Sequence, residues 1–362
     1  MDLPLLTLEE TLASQKDLAG LCADRSLETN EIFQPNAFYG NDFVLKKYAG
    51  LPGTYRLKVV IPHGIVFRED YVWEAEAESF VPAVWCYSSH RESIYVNATR
   101  KVVIGAASPL LYVVEMLESQ PKPERKGTIF FPYHSTHHIT VQMDSEGIAE
   151  ELTRLGEEYQ PVTVCIYWRD FNLGRHLPFQ ERGFPIVSAG HIYDAAFLFR
   201  FYHLCSMHRY SASNGLGSQL FYSVKSGCSY FQLDMARYSP VAEEHVLKRD
   251  GGGIHTAREE ALAWLFREPF PSPTAEQMKA VDHYLGTGYL EPPEGVRRQL
   301  LYADKLDKFG FFVHNRGGKR RFVIPSYYWR IGMNVAIRLK LRGILRKARK
   351  LWRRAGERHK IC

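Results

Sequence analysis

The chain has 362 residues, of which 45% are hydrophobic and 24% charged, a composition typical of a soluble globular protein of about two domains. Its six cysteines are scattered without a Cys-x-x-Cys pair, so neither a disulfide framework nor a zinc site is expected. No apolar run of about 18 residues is present, and the first residues lack the basic region of a secretion signal. These features predict a cytoplasmic protein without a transmembrane helix.

The net charge of +6 at pH 7 is unevenly distributed along the chain. From Arg330 to Cys362 there are twelve Lys and Arg residues and one acid, Glu357, which gives this tail a net charge of +11. Residues 1–329 therefore carry a net charge of −5. The body of the protein thus gives no indication of a nucleic-acid groove, and no nucleic-acid partner is expected.

The first half of the chain is predicted to have an α/β fold. Residues 5–23 are predicted to form a helix, followed by a loop to about residue 40. Three continuous runs rich in β-branched residues then predict strands buried on both faces, as in a parallel sheet. These runs are residues 57–62, 83–87 and 101–105. The polar, proline-containing segment 120–127 is the predicted hinge between two domains.

A second α/β series follows the hinge. Strand and helix alternate at short spacing, which favours a parallel sheet with crossover helices. The predicted strands are 128–131, 162–167 and 185–188, the helices are 145–159 and 192–205, and a strand-turn-helix unit covers 210–227. Three more helices are predicted at 257–268, 274–286 and 294–309. Two such halves in tandem predict a cleft between them.

Polar clusters stand where the predicted strands end. Because the carboxyl ends of parallel strands meet at one edge of a sheet, these clusters are expected to converge on one crevice. They are residues 62–64, 132–138, 168–170, 189–191 and 213–215.

His63 is the candidate general base, since imidazole titrates near neutral pH and can accept a proton from a hydroxyl nucleophile. The alternative is a loop histidine bonded to backbone. His134 and Ser135 are candidate hydrogen-bond donors to a phosphate or sugar, or else part of a polar loop. A metal site in this cluster is disfavoured because adjacent His137 and His138 cannot face one point in a strand.

The turn after residue 210 is the candidate phosphate cradle. Ser213 or Asn214 is expected to cap the following helix and leave its first backbone N–H groups free for an anion. Gly215 and Gly217 allow close approach of a ligand, and Ser218 opens the helix. The alternative is an ordinary strand-to-helix connection.

Two further donor-site candidates lie at neighbouring strand ends. Arg169 is expected to pair with a phosphate or with Asp170. His191 is expected to lie beside a helix N-terminus, or to make a structural cap contact. Asp234 and the glycine loop 250–253 are weaker candidates for a donor ribose.

The tail over residues 327–357 is predicted to be a long basic amphipathic helix. Apolar residues that include Trp352 recur on one face, with Lys and Arg on the others, which suits an anionic membrane surface. Contact of a basic arm with nucleic acid is the alternative.

Several short motifs carry a resemblance to a known family. They are residues 38–40, 45–50, 62–64, 131–138 and 213–218, with Tyr222 and Gly227. On these motifs, over about residues 40–270, the chain resembles bacterial surface-polysaccharide glycosyltransferases of O-antigen and capsule synthesis, which have the GT-B architecture. More distantly it is similar to the polyol-phosphate transferases of teichoic acid and capsule synthesis.

The polyol-phosphate transferases have a His-Gly loop for the presumed base and a serine-rich turn for the nucleotide diphosphate. The resemblance places these roles on His63 and on Ser213, Asn214 and Ser218. Those enzymes usually carry an acidic residue beside the serines, whereas Ala212 and Asn214 flank Ser213 here. This departure favours transfer of a sugar.

The resemblance implies an α/β fold with two Rossmann-like domains facing a cleft and a C-terminal basic helix. The predicted divisions are an acceptor domain (1–122), a donor domain (123–275), a helical return segment (276–326) and a membrane-associating tail (327–362). The predicted enzyme moves a sugar from a nucleotide-sugar to a lipid-linked or polysaccharide acceptor. It needs no cofactor or metal and lies on the inner face of the bacterial cytoplasmic membrane, which residues 330–360 contact.

Two alternatives stay open: a polyol-phosphate transferase on the same fold, and a non-catalytic membrane-bound assembly factor. The predicted catalytic residue is His63. The predicted donor-binding residues are His134, Ser135, Arg169, His191, Ser213, Asn214, Gly215 and Ser218.

Overall fold

The structure is a computed structural model that describes most of the chain. The described residues are 5–66, 71–136, 139–233, 238–241, 257–309, 311–314 and 320–323. The predicted tail helix, Asp234 and the 250–253 loop lie outside them, as do His137 and His138.

The first half is built on a three-stranded parallel sheet with the order β1-β2-β3. Val59 lies opposite Ala83, and Ala83 lies opposite Val102. The strands are β1 (Val59–Val60), β2 (Ala83–Cys86) and β3 (Val102–Gly105). The helices of this half are α1 (Leu8–Ser14), α2 (Leu18–Cys22), α3 (Asn41–Tyr48), α4 (Glu74–Glu78), α5 (Ser89–Ala98) and α6 (Pro109–Leu117).

The second half is built on a five-stranded parallel sheet with the order β7-β6-β4-β8-β9. The strands are β4 (Thr128–Phe131), β6 (Val162–Cys165), β7 (Ile186–Val187), β8 (Tyr210–Ser213) and β9 (Ser229–Gln232), with β5 (Thr140–Met143) outside this sheet. The helices are α7 (Ser145–Thr153), α8 (Trp168–Asn172), α9 (Leu177–Glu181), α10 (Phe197–Ser206) and α11 (Ser218–Lys225). The predicted α/β class with two successive parallel sheets is confirmed.

The second sheet has a point at which its strand order reverses. The chain passes from β4 to β6 on one side and later returns to β8 on the other side. Crevices for ligands in open α/β sheets lie at the carboxyl ends of the strands at such a reversal. The loop after β4 and the turn after β8 therefore border the expected crevice.

One hydrophobic core runs through both halves. It contains Trp85 of the first sheet and Phe131 of the second, and apolar side chains of α6, α10 and α11 fill the space between them. The halves are thus joined by buried apolar surface, which is the main favourable contribution to folding.

The chain returns to the first sheet after the second. Its last long helices are α12 (Ala257–Leu265), α13 (Ala275–Leu285) and α14 (Pro293–Phe309). Ser108 N donates to Leu285 O at 2.9 Å, and Arg297 donates to Gly50 O at 2.8 Å. Gly286 follows α13 with φ +68°, and a Cβ there would lie 1.9 Å from Tyr87 O. Only glycine fits this close approach.

Several element boundaries differ from the sequence predictions. The helix expected from residue 192 begins at Phe197, and the helix expected to reach residue 159 ends at Thr153, before a short 3-10 turn (Glu157–Tyr159). The first helix is divided into α1, a 3-10 turn (Gln15–Asp17) and α2. Two antiparallel pairs were not predicted: β5 with β10 (Tyr238–Val241), and β11 (Phe311–His314) with β12 (Arg320–Val323).

Within the described ranges, none of the helices has the length and apolar character needed to span a bilayer.

Candidate functional site

His63 lies in the loop that follows β1, at the carboxyl edge of the first sheet. Its side chain is exposed, and its ring makes edge contacts with Trp73 at 5.3 Å and Phe38 at 6.0 Å between centroids. Two flanking rings limit the orientations of the imidazole and leave it open to solvent. A general base must come within hydrogen-bond reach of the proton it removes, and the catalytic role of His63 stays a prediction.

The segment that carries Phe38 connects His63 to the second half. It belongs to a 3-10 stretch (Gln34–Gly40) with a kink at Phe38 and Tyr39. Phe38 lies 5.5 Å from the ring of Tyr193, and Tyr39 N donates to Ile192 O at 2.6 Å. The loop after β7 is therefore held against the edge of the first half, next to His63.

Ser218 is brought close to His63. It is the first residue of α11, and its Oγ accepts a hydrogen bond from Ile65 N at 2.9 Å. A Cβ on Gly64 would lie 3.2 Å from the same Oγ. The His63 loop thus rests directly on the N-terminus of α11, and the small size of Gly64 permits this contact.

The predicted capping of α11 is wrong. Gly217 is the N-cap residue, and no side chain caps the helix. Ser213 Oγ instead donates to Gly215 O at 2.9 Å and accepts from Gln219 Nε2 at 3.2 Å. Asn214 Oδ1 accepts from Tyr133 N at 2.8 Å. Both side chains are buried, and neither accepts a hydrogen bond from a backbone N–H of the first turn of the helix.

Gly215 has a packing role in this turn. A Cβ there would lie 2.2 Å from Cδ2 of Tyr133. The glycine therefore makes room for an aromatic ring of the loop after β4, and its expected contact with a ligand finds no support in this geometry.

Ser135 is enclosed in a buried polar cluster formed with Asp170 and Arg175. Its Oγ donates to Asp170 Oδ1 at 2.7 Å and accepts from Arg175 Nη1 at 2.9 Å and from Val141 N at 3.0 Å. Asp170 also accepts from Ser135 N at 2.8 Å. With no exposed surface, the hydroxyl is not presented to a ligand, so the expected phosphate contact of Ser135 finds no support here.

His134 remains partly exposed beside this cluster. Its ring lies 4.3 Å from the ring of Tyr167, and its Nδ1 lies 3.1 Å from Ser135 O. Of the histidines in this loop, it is the one the structure describes. It offers a ring nitrogen at the point where the strand order reverses.

Arg169 does not pair with its neighbour Asp170, which pairs with Arg175 instead. The Nε of Arg169 is buried and has no hydrogen-bond partner among the residues the structure describes. The expected carboxylate contact is therefore wrong, and Arg169 keeps hydrogen-bonding capacity near the carboxyl end of β6.

His191 does not lie at a helix N-terminus, since α10 begins six residues later. The side chain is fully buried, with its ring 4.0 Å from Trp168 and 4.9 Å from Tyr193. Its Nδ1 accepts from Tyr193 N at 3.1 Å, and its Nε2 lies 3.4 Å from Asp24 Oδ1. This histidine joins the N-terminal segment to the second sheet, and its expected phosphate contact finds no support.

A series of aromatic rings along this edge was missed from the sequence. Trp73, His63, Phe38 and Tyr193 follow one another at centroid distances between 5.3 and 6.0 Å. These residues come from four separate segments, so no local pattern signals the series. Half-exposed aromatic faces of this kind suit stacking against a sugar or a base.

Among known proteins, one solved structure is weakly similar to this chain. No family model matches the chain, and no curated protein matches it. Among solved structures, the UDP-GlcNAc 2-epimerase of Neisseria meningitidis bound to UDP-GlcNAc is similar, with 10% identity and a TM-score of 0.34. The match covers 83% of this chain and 89% of that chain. A likeness this weak carries no argument about function.

Proposed function

We propose that this protein is a glycosyltransferase that moves a sugar from a nucleotide-sugar to a hydroxyl of a lipid-linked or polysaccharide acceptor in cell-surface glycan synthesis. The observation that carries the proposal is the place of His63: exposed, flanked by Phe38 and Trp73, and next to the N-terminus of α11. The proposed base thus lies close to a helix end whose N–H groups would stabilise an anion.

In the proposed reaction, His63 removes the proton of the acceptor hydroxyl while that oxygen forms a bond to the anomeric carbon of the donor sugar. The bond from that carbon to the diphosphate oxygen breaks, and the nucleotide diphosphate leaves with the electron pair. Charge developing on the phosphate oxygens would be stabilised by the N-terminal N–H groups of α11 and by Arg169. The reaction uses no cofactor and no metal, as the sequence predicts.

The proposed donor site contains fewer residues than the sequence predicts. His134 and Ser218 are partly exposed, and Arg169 has a buried Nε without a hydrogen-bond partner among the described residues. The remaining predicted residues shape the loops that carry these three. They are Ser135, His191, Ser213, Asn214 and Gly215.

A two-part experiment tests the proposal. Thermal shift with UDP, GDP, CDP and CMP should show stabilisation by one nucleotide, because only the folded protein binds it. With the sugar donor of that nucleotide, His63→Gln should lower turnover at least about 100-fold, the usual contribution of a general base, and leave nucleotide affinity unchanged. His176→Gln, at a partly exposed histidine stacked on Phe171, is the matched control.

The outcomes separate the alternatives. No shift with any nucleotide would overturn the proposal and favour a non-catalytic assembly factor. Unchanged turnover in His63→Gln would remove His63 as the base. Transfer of a polyol phosphate from a CDP-polyol to the acceptor, with CMP as the leaving group, would assign a polyol-phosphate transferase.

We also propose that residues 330–360 hold the enzyme at an anionic membrane surface on the cytoplasmic side. The support is the net charge of +11 from Arg330 to Cys362 together with the apolar face predicted for this segment. Co-sedimentation with vesicles that contain phosphatidylglycerol tests it. Removal of residues 330–362 should abolish sedimentation, and a truncated protein that still sediments would refute the assignment.

A further inference from the structure

Four aromatic side chains form a continuous series past the proposed base. In order they are Trp73, His63, Phe38 and Tyr193, with successive ring centroids between 5.3 and 6.0 Å apart. His63 is exposed, and the other three are partly exposed. Three members belong to the first half of the protein and Tyr193 belongs to the second. The aromatic series therefore crosses from one half to the other along the edge that carries His63.

The rings of the aromatic series are held by the cores behind them. Trp73 packs against a buried cluster of the first half, and its ring lies 6.2 Å from that of Phe33. Phe38 and Tyr193 pack against another buried cluster, which contains Trp168. A ring that is already fixed loses little conformational freedom when a ligand stacks on its exposed part, which lowers the cost of binding. The aromatic series is therefore preorganised to receive a flat ligand.

The backbone next to Phe38 is strained. Tyr39 has φ +58°, in the left-handed region that a bulky side chain rarely adopts. Tyr39 N donates to Ile192 O at 2.6 Å, and the Tyr39 ring lies 4.8 Å from that of Phe197, so two contacts with the second half hold this conformation. Strain of this kind persists only where the surrounding structure enforces it, and it is concentrated at functional sites. Its position beside Phe38 is a separate indication that this edge binds a ligand.

The charged groups beside Tyr193 suit a ligand rich in hydroxyls. Burial and the negative charge of Asp24 raise the pKa of Tyr193, and the Asp24 side chain is 77% exposed. Arg25 is also exposed and lies 4.0 Å from Asp194, so acidic and basic groups are interspersed here. Carboxylates accept hydrogen bonds from hydroxyls, and guanidinium groups donate to them. A nucleic acid would need a surplus of positive charge, whereas residues 1–329 carry a net charge of −5.

We propose that the aromatic series binds the glycan chain of the acceptor, with hexopyranose rings stacked on Trp73, Phe38 and Tyr193. One face of such a sugar ring carries mainly C–H bonds, which pack on the electron-rich face of an aromatic ring. A chain bound along the series passes His63. That this glycan is the acceptor rests on the proposed function, but its binding requires neither a nucleotide nor turnover.

The test is isothermal titration calorimetry of the full-length protein with cellohexaose, chitohexaose and maltohexaose. At least one of these hexaoses should bind with a dissociation constant below about 10 mM. The disaccharide of the same sugar should bind at least about fivefold more weakly, because it contacts fewer rings of the series. Binding of none of the hexaoses, or equal affinity for hexaose and disaccharide, would overturn the proposal.

Leucine substitutions test the members of the series. Trp73→Leu and Tyr193→Leu should each weaken hexaose binding by at least about fivefold, because leucine keeps an apolar contact with the core and lacks an aromatic face. Trp264→Leu is the matched control, since this tryptophan is 75% exposed on α12 and lies outside the series. Its affinity for the hexaose should stay within about twofold of the wild-type value. The melting temperature verifies that each variant is folded, and Phe38→Leu replaces a variant that is not; equal weakening in the control would contradict the assignment.

Failure of this proposal and failure of the proposed function give different results. Hexaose binding that depends on Trp73 and Tyr193, without a thermal shift by any nucleotide, keeps the glycan site and removes the transferase activity. Nucleotide-dependent turnover that Trp73→Leu and Tyr193→Leu leave unchanged keeps the transferase and removes the glycan site. Binding of oligo(dT) in place of a hexaose, sensitive to the same substitutions, would assign the series to single-stranded nucleic acid and overturn the proposal.

Discussion

Ser135→Ala separates a structural role of this serine from a ligand-binding one. The substitution removes one hydrogen bond to Asp170 and two that the hydroxyl accepts, from Val141 N and Arg175. Each such bond contributes about 1 kcal/mol, and a buried donor left unsatisfied costs about 1–3 kcal/mol. We therefore expect the free energy of unfolding to fall by about 2–4 kcal/mol, measured by urea denaturation.

The neighbouring Thr136→Ala is the matched control. Its hydroxyl is only partly buried and accepts from Ile139 N at 3.1 Å, so a loss of about 1 kcal/mol is expected. In Ser135→Ala the dissociation constant of the nucleotide should stay within about twofold of the wild-type value, because the lost contacts are internal. A variant with normal stability and nucleotide affinity reduced about tenfold would refute the reasoning and restore Ser135 as a donor ligand.

Three further substitutions test the loops and the buried carboxyl. Gly40→Ala should lower the free energy of unfolding in urea by about 3 kcal/mol or more. The reason is that φ is +72° and the new Cβ would lie 2.1 Å from the backbone oxygen of Ala195. A loss below about 1 kcal/mol would contradict this close contact. Gly215→Ala meets the movable ring of Tyr133, so a smaller loss of about 1–3 kcal/mol is expected by the same assay. The pKa of Glu76 is raised from 4.5 to about 7 by burial, so the folded state holds more protons than the unfolded state between these values. The contribution of Glu76 therefore makes the free energy of unfolding fall as pH rises through this window. In Glu76→Gln the urea midpoint should depend less on pH between pH 5 and 7. An unchanged slope of the midpoint against pH would contradict the raised pKa.

The parallel sheets were predictable because their strands carry a strong local signal. Val102 and Ile129 belong to continuous β-branched or aromatic runs, and such runs are typical of strands covered on both faces. A helix was also predicted from residue 5, and α1 begins at Leu8 behind a capping box formed by Thr7 and Glu10. Antiparallel strands β5 and β10 were missed because their partners lie about 100 residues apart, and no local pattern encodes such a pairing.

The sequence places candidate polar residues at the ends of the strands. It does not tell which of them are used up by internal hydrogen bonds. Ser213 satisfies groups of its own turn and Ser135 bonds to Asp170, whereas His63 is left exposed. That division depends on contacts between residues far apart in sequence, such as Asn214 with Tyr133.

The apolar core that joins the two sheets has a thermodynamic consequence for unfolding. Two independently folded domains would melt in separate steps. Here the halves share buried side chains of α6, α10 and α11, so unfolding of one half exposes apolar surface of the other. We expect a single cooperative calorimetric transition for this part of the chain. A nucleotide bound at one edge would then raise the melting temperature of both sheets together.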